Sequence, residues 1–218
     1  MSEERIEYID EHKQYGKTHT MTYSRIKSGD KVWLESLQNI RELEQLTKLA
    51  KLAGVTTVLE IGAGPCGTAV YFSEQFGPEA KIVSVDLPIE IGGTPKEYED
   101  MARSKAENWT LVRGASEDPR TFQRVKEALG GRPVGLLFID GEHTRTAAES
   151  DYETYRRLLV STGIVGFHDI TLPELWPMWC AIKGRRHPIR SMEFIEDRSH
   201  IGFGIGALIG RDEGFEGA

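Results

Sequence analysis

The sequence predicts an α/β protein built on a Rossmann-like, doubly wound and mostly parallel sheet of seven strands, with an antiparallel terminal hairpin and an N-terminal helical arm. Three observations carry this expectation. Strand-like apolar runs alternate with helix-like stretches along most of the chain. The run Val58–Gly67, VLEIGAGPCG, passes from a strand into a glycine turn and then into the helix-like AVYFSEQF. Five successive strand-like runs end in glycine or polar residues, namely Glu60/Gly62, Asp86, Ser116, Asp140 and His168-Asp169. Ligands of open α/β sheets bind outside the carboxyl ends of the strands, so these residues are expected to share one site.

With 218 residues the chain is long enough for one α/β domain with a full core and a short additional segment. The expected division is an arm and helix over 1–54 and a cofactor-binding domain over 55–218. A hydrophobic fraction of 39% and a charged fraction of 28% are ordinary for a globular protein. The net charge of -7, offset by no Lys/Arg-rich block, argues against nucleic acid as a partner. No apolar run approaches a membrane span and the N-terminus is polar, so the expected location is the cytoplasm, with no membrane partner. Cys66 and Cys180 make no disulfide framework and read as small packing residues.

Residues 1–30 read as polar and irregular, with Tyr8, Tyr15 and Tyr23 scattered through them and a distinct stretch at Thr18–Ile26. Such an arm either packs on the domain or a second subunit, or forms a lid over the cofactor. From Asp30 onward Trp33, Leu34, Leu37, Ile40, Leu43, Leu46, Leu49 and Ala50 recur at helical spacing, with Asp30 or Ser28 as cap and Gly54 as stop. Beyond the glycine loop the expected elements are helix 68–76, strand 81–86, a loop over 88–95, helix 96–108 and strand 109–113. Helix 119–129 follows, started by Ser116 with Asp118, and then the apolar run Gly135–Asp140 as a central parallel strand. Helix 144–160, a turn at STG, strand Ile164–Ile170, a loop and short helix holding Trp176 and Trp179, and the pair MEFIED and GFGIGALIG complete the chain.

A strand feeding a glycine turn and a helix N-terminus holds nucleotide-like cofactors, because glycine lets the backbone approach and the helix end favours negative or polar groups. The spacing G-x-G-x-x-G alone is shared by several classes of binder. Glu60 inside the strand end and Asp86, 19 residues past Gly67, narrow it, since a carboxylate there can take both ribose hydroxyls. Asp140, His168 and Asp169 come from two strands expected to be neighbours. Two carboxylates and an imidazole can hold a divalent cation, Mg²⁺ foremost, with Mn²⁺, Fe²⁺ or Zn²⁺ admitted by the imidazole. The plainer account is that Asp169 caps a turn and His168 bonds a backbone carbonyl. His143, three residues past Asp140, is a candidate general base, or else a solvated histidine at a helix start.

VLEIGAGPCG, SVDLP, GASEDP, LLFIDGEH, DYETYRRLL, GIVGFHDI and the closing GFGIGALI together resemble the small class I S-adenosylmethionine-dependent O-methyltransferases. The likeness is nearest to the group holding macrolide-sugar O-methyltransferases and cephalosporin-hydroxylase-like proteins. It implies that Gly62, Ala63 and Gly64 serve the methionine part of the cofactor, that Glu60 lies near its amino group or in the polar network beneath it, that Asp86 takes the ribose, and that Leu87 also binds the cofactor. It also implies that Ala115 and Ser116 border the adenine and that Asp140 reaches both cofactor and metal. In the metal-dependent members Asp140, His168 and Asp169 match ligand positions, although two acids or an Asp-Asn pair are usual where His168-Asp169 stand. His143 matches the position of the base. The implied reaction is methyl transfer from S-adenosylmethionine to the hydroxyl of a small-molecule acceptor of sugar, catechol or natural-product type. Trp176, Trp179 and the arm would shape the acceptor pocket or an oligomer contact, and a homo-oligomer is expected.

Two rivals remain open at this point. A nicotinamide-dependent oxidoreductase would also satisfy the glycine spacing, but its Tyr-x-x-x-Lys pair occurs only as Tyr23 and Lys27, ahead of the glycine loop. A subunit that keeps the fold without turnover is the other.

Overall fold

The computed structural model describes residues 8–15, 19–28, 32–184, 190–198 and 201–210, the first two segments and residues 32, 33 and 35 by their backbone alone. Two sheets result. The smaller is an antiparallel meander of β1 (Tyr8–Tyr15), β2 (His19–Ser28) and β3 (Val32–Ser36). The larger has seven strands in the order β6-β5-β4-β7-β8-β10-β9. They are β4 (Thr57–Ile61), β5 (Lys81–Asp86), β6 (Trp109–Arg113), β7 (Val134–Ile139), β8 (Leu159–Phe167), β9 (Arg190–Phe194) and β10 (Ile205–Ile209). β4 to β8 pair in parallel, while β10 runs antiparallel to both β8 and β9. This is the expected doubly wound sheet with its antiparallel terminal hairpin.

Two apolar layers sandwich the sheet. α1 (Ile40–Leu52), α2 (Gly67–Phe76) and α3 (Lys96–Lys105) pack on one face, where Leu43, Leu46, Phe72 and Ala102 meet Val58, Ile82 and Phe138. α4 (Pro119–Leu129), α5 (Arg145–Tyr155) and α6 (Trp176–Lys183) cover the other, where Val125, Tyr152, Met178 and Trp179 meet Leu59, Val83, Leu137 and Phe167. The alternation of Val58 and Leu59 between the two layers is the period of two that a buried strand imposes. Among the described residues no helix is long and apolar enough to cross a membrane.

The N-terminal reading needs correction. The stretch taken as irregular contains β1 and β2, and the helix expected from Asp30 begins ten residues later at Ile40. Its cap is Asn39, whose side chain accepts from the Arg41 N–H. Leu34 belongs to β3 and Leu37 is exposed, so the front of the helical stripe was a strand and a turn whose apolar residues happened to fall in phase. Asp30 lies outside the described residues, as do the side chains on which a lid or subunit contact by β1 and β2 would rest. The helix expected over 144–160 stops at Tyr155, passes through a single 3₁₀ turn, and hands Leu159 and the STG residues to β8. The helix expected to reach Asn108 ends at Lys105. Cys66 is buried as expected, but Cys180 is exposed on α6.

One close packing fixes the antiparallel edge. A Cβ on Gly206 would stand 2.8 Å from the Trp179 ring, so β10 has to be bare at that point for the fully buried indole to lie flat on it. Gly206→Ala is therefore expected to destabilise the fold by about 1–3 kcal/mol, the usual cost of overpacking a filled core, as read by urea denaturation.

Candidate active site

The sheet's hydrogen-bond ladder runs one residue beyond several strands, and this brings the expected residues side by side. The N–H of Gly62 bonds the Val85 carbonyl, that of Asp140 the Ile61 carbonyl, that of His168 the Ile139 carbonyl and that of Gly114 the Asp86 carbonyl. Above this edge opens a cleft of about 860 Å³ whose walls include Gly62, Gly64, Asp86, Leu87, Thr94, Ser116, Asp140, Gly141 and Asp151. Gly62 cannot be replaced without rebuilding the floor. Its φ is +95°, and a Cβ would lie 2.0 Å from the Asp140 carbonyl oxygen. The following turn lines the cleft through Gly64 and Pro65 and enters α2 through Cys66, itself left-handed and making no side-chain cap.

Asp86 closes β5 at the cleft wall, where its carboxylate accepts from the Gly64 N–H at 2.8 Å and the Leu87 N–H at 2.7 Å. The Thr94 hydroxyl lies 2.6 Å from the same carboxylate and 2.9 Å from the Gly64 carbonyl. Asp86 thus holds the glycine loop in shape as well as facing the cleft. Ala63 is buried under the loop, and of the pair Ala115-Ser116 it is Ser116 that lines the cleft.

Glu60 takes the place beneath the floor rather than on it. Fully buried, it accepts from the Ser84 hydroxyl at 2.5 Å, and that hydroxyl accepts from Trp109 Nε1–H at 2.9 Å. Its second oxygen, Oε1, is buried without a hydrogen-bond partner among the described residues. Burial pushes its carboxyl up to about 8, against the Ser84 hydrogen bond, with the charges of Asp140 and Asp86 adding to the rise. Glu60 is therefore mostly neutral at pH 7.

At the ends of β7 and β8 the remaining candidates converge. Asp140 Oδ1 lies 2.9 Å from His168 Nδ1, and Asp140 Oδ2 accepts from Gln38 Nε2 at 2.6 Å. Asp169, left-handed at φ +55°, accepts from the Phe203 N–H at 2.7 Å and reaches His168 Nδ1 at 3.4 Å. His143 Nε2 stands 3.2 Å from Asp169 Oδ2 and 3.6 Å from Asp140 Oδ1, with half of its side chain exposed. Burial alone would lower the pKa of His168, but the charges of Asp140 and Asp169 outweigh it and hold the ring well above its ordinary value. Burial raises the two acids, and the His168 charge overrides this, lowering Asp140 and bringing Asp169 down to about 2. His143 is also raised, by interaction with Asp140 and by the Asp169 charge, against burial and the His168 charge. Its contacts to both carboxylates are ion-pair contacts, the nearer being to Asp169.

The expected trio of Asp140, His168 and Asp169 is thus together, but in different parts. His168 is buried with Nδ1 turned to both acids and Nε2 without a hydrogen-bond partner among the described residues. Among the described residues, Asp140, His143 and Asp169 form a group whose ligand atoms lie within 4.8 Å of one another. Trp179 does not shape an acceptor pocket. It is wholly buried against Phe167 and donates Nε1–H to Glu193, whereas Trp176 is 37% exposed.

Sequence reasoning missed three contributors. Gln38 was hidden because its segment read as helix interior, and Thr94 because nothing in GGTP marks a hydroxyl for the loop. Asp151 did leave a signal. It sits on the buried stripe Ala148, Asp151, Tyr152 and Tyr155 of α5, where an acid is out of place unless it has a task.

A protein-family model described as a methyltransferase domain matches residues 59–170, slightly over half of the chain. No curated protein sequence matches. Among solved structures, the O-methyltransferase TomG of Streptomyces achromogenes, involved in tomaymycin synthesis and bound to S-adenosylmethionine, is similar with a TM-score of 0.58 and 14% identity. The alignment covers 77% of this chain and 78% of that one. An O-methyltransferase of Bacillus cereus bound to S-adenosylhomocysteine aligns with a TM-score of 0.56 and 14% identity over 76% and 79% of the two chains. At these identities the likeness speaks for the fold.

Glu60 gives a stability test of the site's floor. The folded chain keeps a proton that the unfolded chain loses above the ordinary value of 4.5, so stability falls as pH rises from there to about 8. Glu60→Gln removes this penalty. Thermal melts at pH 5 and pH 8 should show the variant gaining on the parent by roughly 7–14 °C between the two pH values.

Proposed function

This chain belongs to the methyltransferase-domain family and has the class I methyltransferase fold, and from that premise we propose that it transfers the methyl group of S-adenosylmethionine to the hydroxyl of a small molecule. The observation that carries this reading is the junction of a cofactor-sized cleft, floored by the glycine loop and flanked by Asp86, with the acid–imidazole cluster Asp140, His143 and Asp169 at one end. A Tyr-x-x-x-Lys pair placed after the glycine loop, as hydride chemistry of the short-chain type would want, is not in the sequence, and the oxidoreductase alternative is not favoured.

The methyl of a sulfonium is already activated, so the protein's task is to align acceptor oxygen, methyl carbon and sulfur and to remove one proton. Gly62 and Gly64 let the backbone approach the methionine part, Asp86 takes the ribose hydroxyls, and Leu87 and Ser116 border the base. His143 accepts the hydroxyl proton at the ring nitrogen turned away from the acids, and Asp169 and Asp140, beside Nε2, stabilise the imidazolium that forms. His168, held by both acids, keeps those carboxylates ionised and in place. Gln38 fixes the second oxygen of Asp140.

A second reading rests on the donor set itself. Two carboxylates and one imidazole with three ligand atoms within 4.8 Å fit a divalent cation, Mg²⁺ or Mn²⁺, at Asp140, His143 and Asp169. When bound, such an ion would lower the pKa of the acceptor hydroxyl. A neutral imidazole has one free lone pair, so His143 cannot take the proton and hold the ion at once, and the two readings exclude each other at that residue.

The acceptor class is proposed as sugar, phenol or related natural product, since the acidic chain disfavours polyanions. A homo-oligomer, with the N-terminal sheet as contact or lid, is proposed alongside.

Transfer of labelled methyl groups to a panel of hydroxyl acceptors tests the activity. His143→Ala is expected to lower kcat by about 10²–10⁴-fold while the Kd of S-adenosylmethionine by calorimetry stays within about threefold. The same assay after chelation separates the readings. Unchanged turnover leaves His143 as the base, and turnover lost on chelation and restored by Mg²⁺ or Mn²⁺ makes it a ligand.

A further inference from the structure

Asp151 is a buried carboxylate in the cleft wall to which the chemistry above gives no part. It is 3% exposed, on the core-facing stripe of α5. Its Oδ2 lies 3.5 Å from where a Gly141 Cβ would stand, and Ser116 hydrogen-bonds to it, so it lies between the loops that follow β6 and β7. Burial, with the charges of Glu117 and Glu142 added and the Ser116 hydrogen bond opposed, pushes its carboxyl up to about 6. The charged groups that act on it are both acids. A carboxylate in the wall of a binding cleft, flanked by like charge, is relieved by a ligand that brings a hydrogen-bond donor.

The sheet's order tells which donor. The glycine loop follows β4, Asp86 ends β5 and Ser116 follows β6, three adjacent strands at roughly 4.8 Å spacing. A cofactor with its amino-acid part at the glycine loop and its ribose at Asp86 lays its base at the Ser116 end. S-adenosylmethionine carries donors at the α-ammonium, the ribose hydroxyls and the exocyclic amine of adenine. The first two lie at the β4 and β5 ends, which leaves the amine for Asp151. We propose that Asp151 accepts a hydrogen bond from the exocyclic amino group of the adenine and so selects adenine over bases that carry a carbonyl there. The inference rests on the reading of the cleft as an S-adenosylmethionine site.

The test compares S-adenosylhomocysteine with S-inosylhomocysteine, which carries a carbonyl in place of the amine, by calorimetry on the full chain. At pH 8, where the Asp151 carboxyl, raised to about 6, is ionised, the parent protein is expected to prefer the adenosyl compound by about 30-fold or more, because a site built to accept that N–H leaves two acceptors opposed when it meets a carbonyl. In Asp151→Asn the amide can donate to the carbonyl, and the two affinities should come within about threefold or invert. Equal affinities in the parent would overturn the proposal without any variant. A Asp151→Asn protein that keeps the parent's ratio, whether both affinities fall together or neither moves, would overturn it too and leave Asp151 a structural acid or a partner of the ammonium. A parent that binds neither compound would instead remove the cofactor reading, and this proposal with it.

Discussion

The buried charge network at the ends of β7 and β8 constrains more of this structure than any other interaction. His168 and Asp169 are buried and Asp140 is largely so, and isolated buried charges of this kind cost several kcal/mol each. They are tolerated because each satisfies the others: His168 Nδ1 faces both acids, Gln38 takes the second oxygen of Asp140, and the Phe203 N–H takes Asp169. Every partner comes from a distant part of the chain. Gln38 stands between β3 and α1, the pair His168-Asp169 just past β8, and Phe203 in the turn before β10. One turn of helix beyond Gln38, Glu42 accepts from the N–H groups of Glu196 and Gly204 and so ties that same turn to α1. Removing one charge would strand the rest, which is why the N-terminal segment and the terminal hairpin are bound into the site and not merely packed beside it.

This organisation explains what was legible in the sequence. The βα alternation, the strand ends and the terminal hairpin follow from local patterns with a clear period, and strands 81–86 and 109–113 and helix 119–129 stand as expected. The positions of Asp86, Asp140, His143 and Asp169 followed too, because a residue at the carboxyl end of a parallel strand has one place to be. What was not legible depended on partners far along the chain. Whether Glu60 faces a ligand or lies under the floor is decided by Ser84 and Trp109 on the neighbouring strands. Which imidazole joins the acids from the solvent side is decided by the backbone after β7 and β8. His168, in the ladder, turns inward, and His143, on the loop beyond Gly141, reaches back from outside. The N-terminal strands were lost for a different reason. Leu34 and Leu37 fall in phase with the real helix, and period alone cannot separate a strand and turn from an added helical turn.

Three buried acids meet burial in different ways, and the contrast divides the cleft. Glu60 has a hydroxyl donor and an unpartnered oxygen, so it stays largely protonated and acts as a neutral hydrogen-bonding prop. Asp169 has a cation and a backbone donor, so it stays ionised far below the ordinary carboxylate range. Asp151 has a hydroxyl and two acidic neighbours, and lies between the two states. The Asp140–Asp169 end therefore holds fixed negative charge beside His143, which on the proposed function would stabilise a proton taken from a hydroxyl. The Ser116 end, proposed to receive the adenine, holds a carboxylate raised by burial and by its acidic neighbours. A cofactor that is cationic at one end and presents a neutral donor at the other matches both. That match follows from burial and partners rather than from the count of acids, since the same three carboxylates, exposed on the surface, would be indistinguishable.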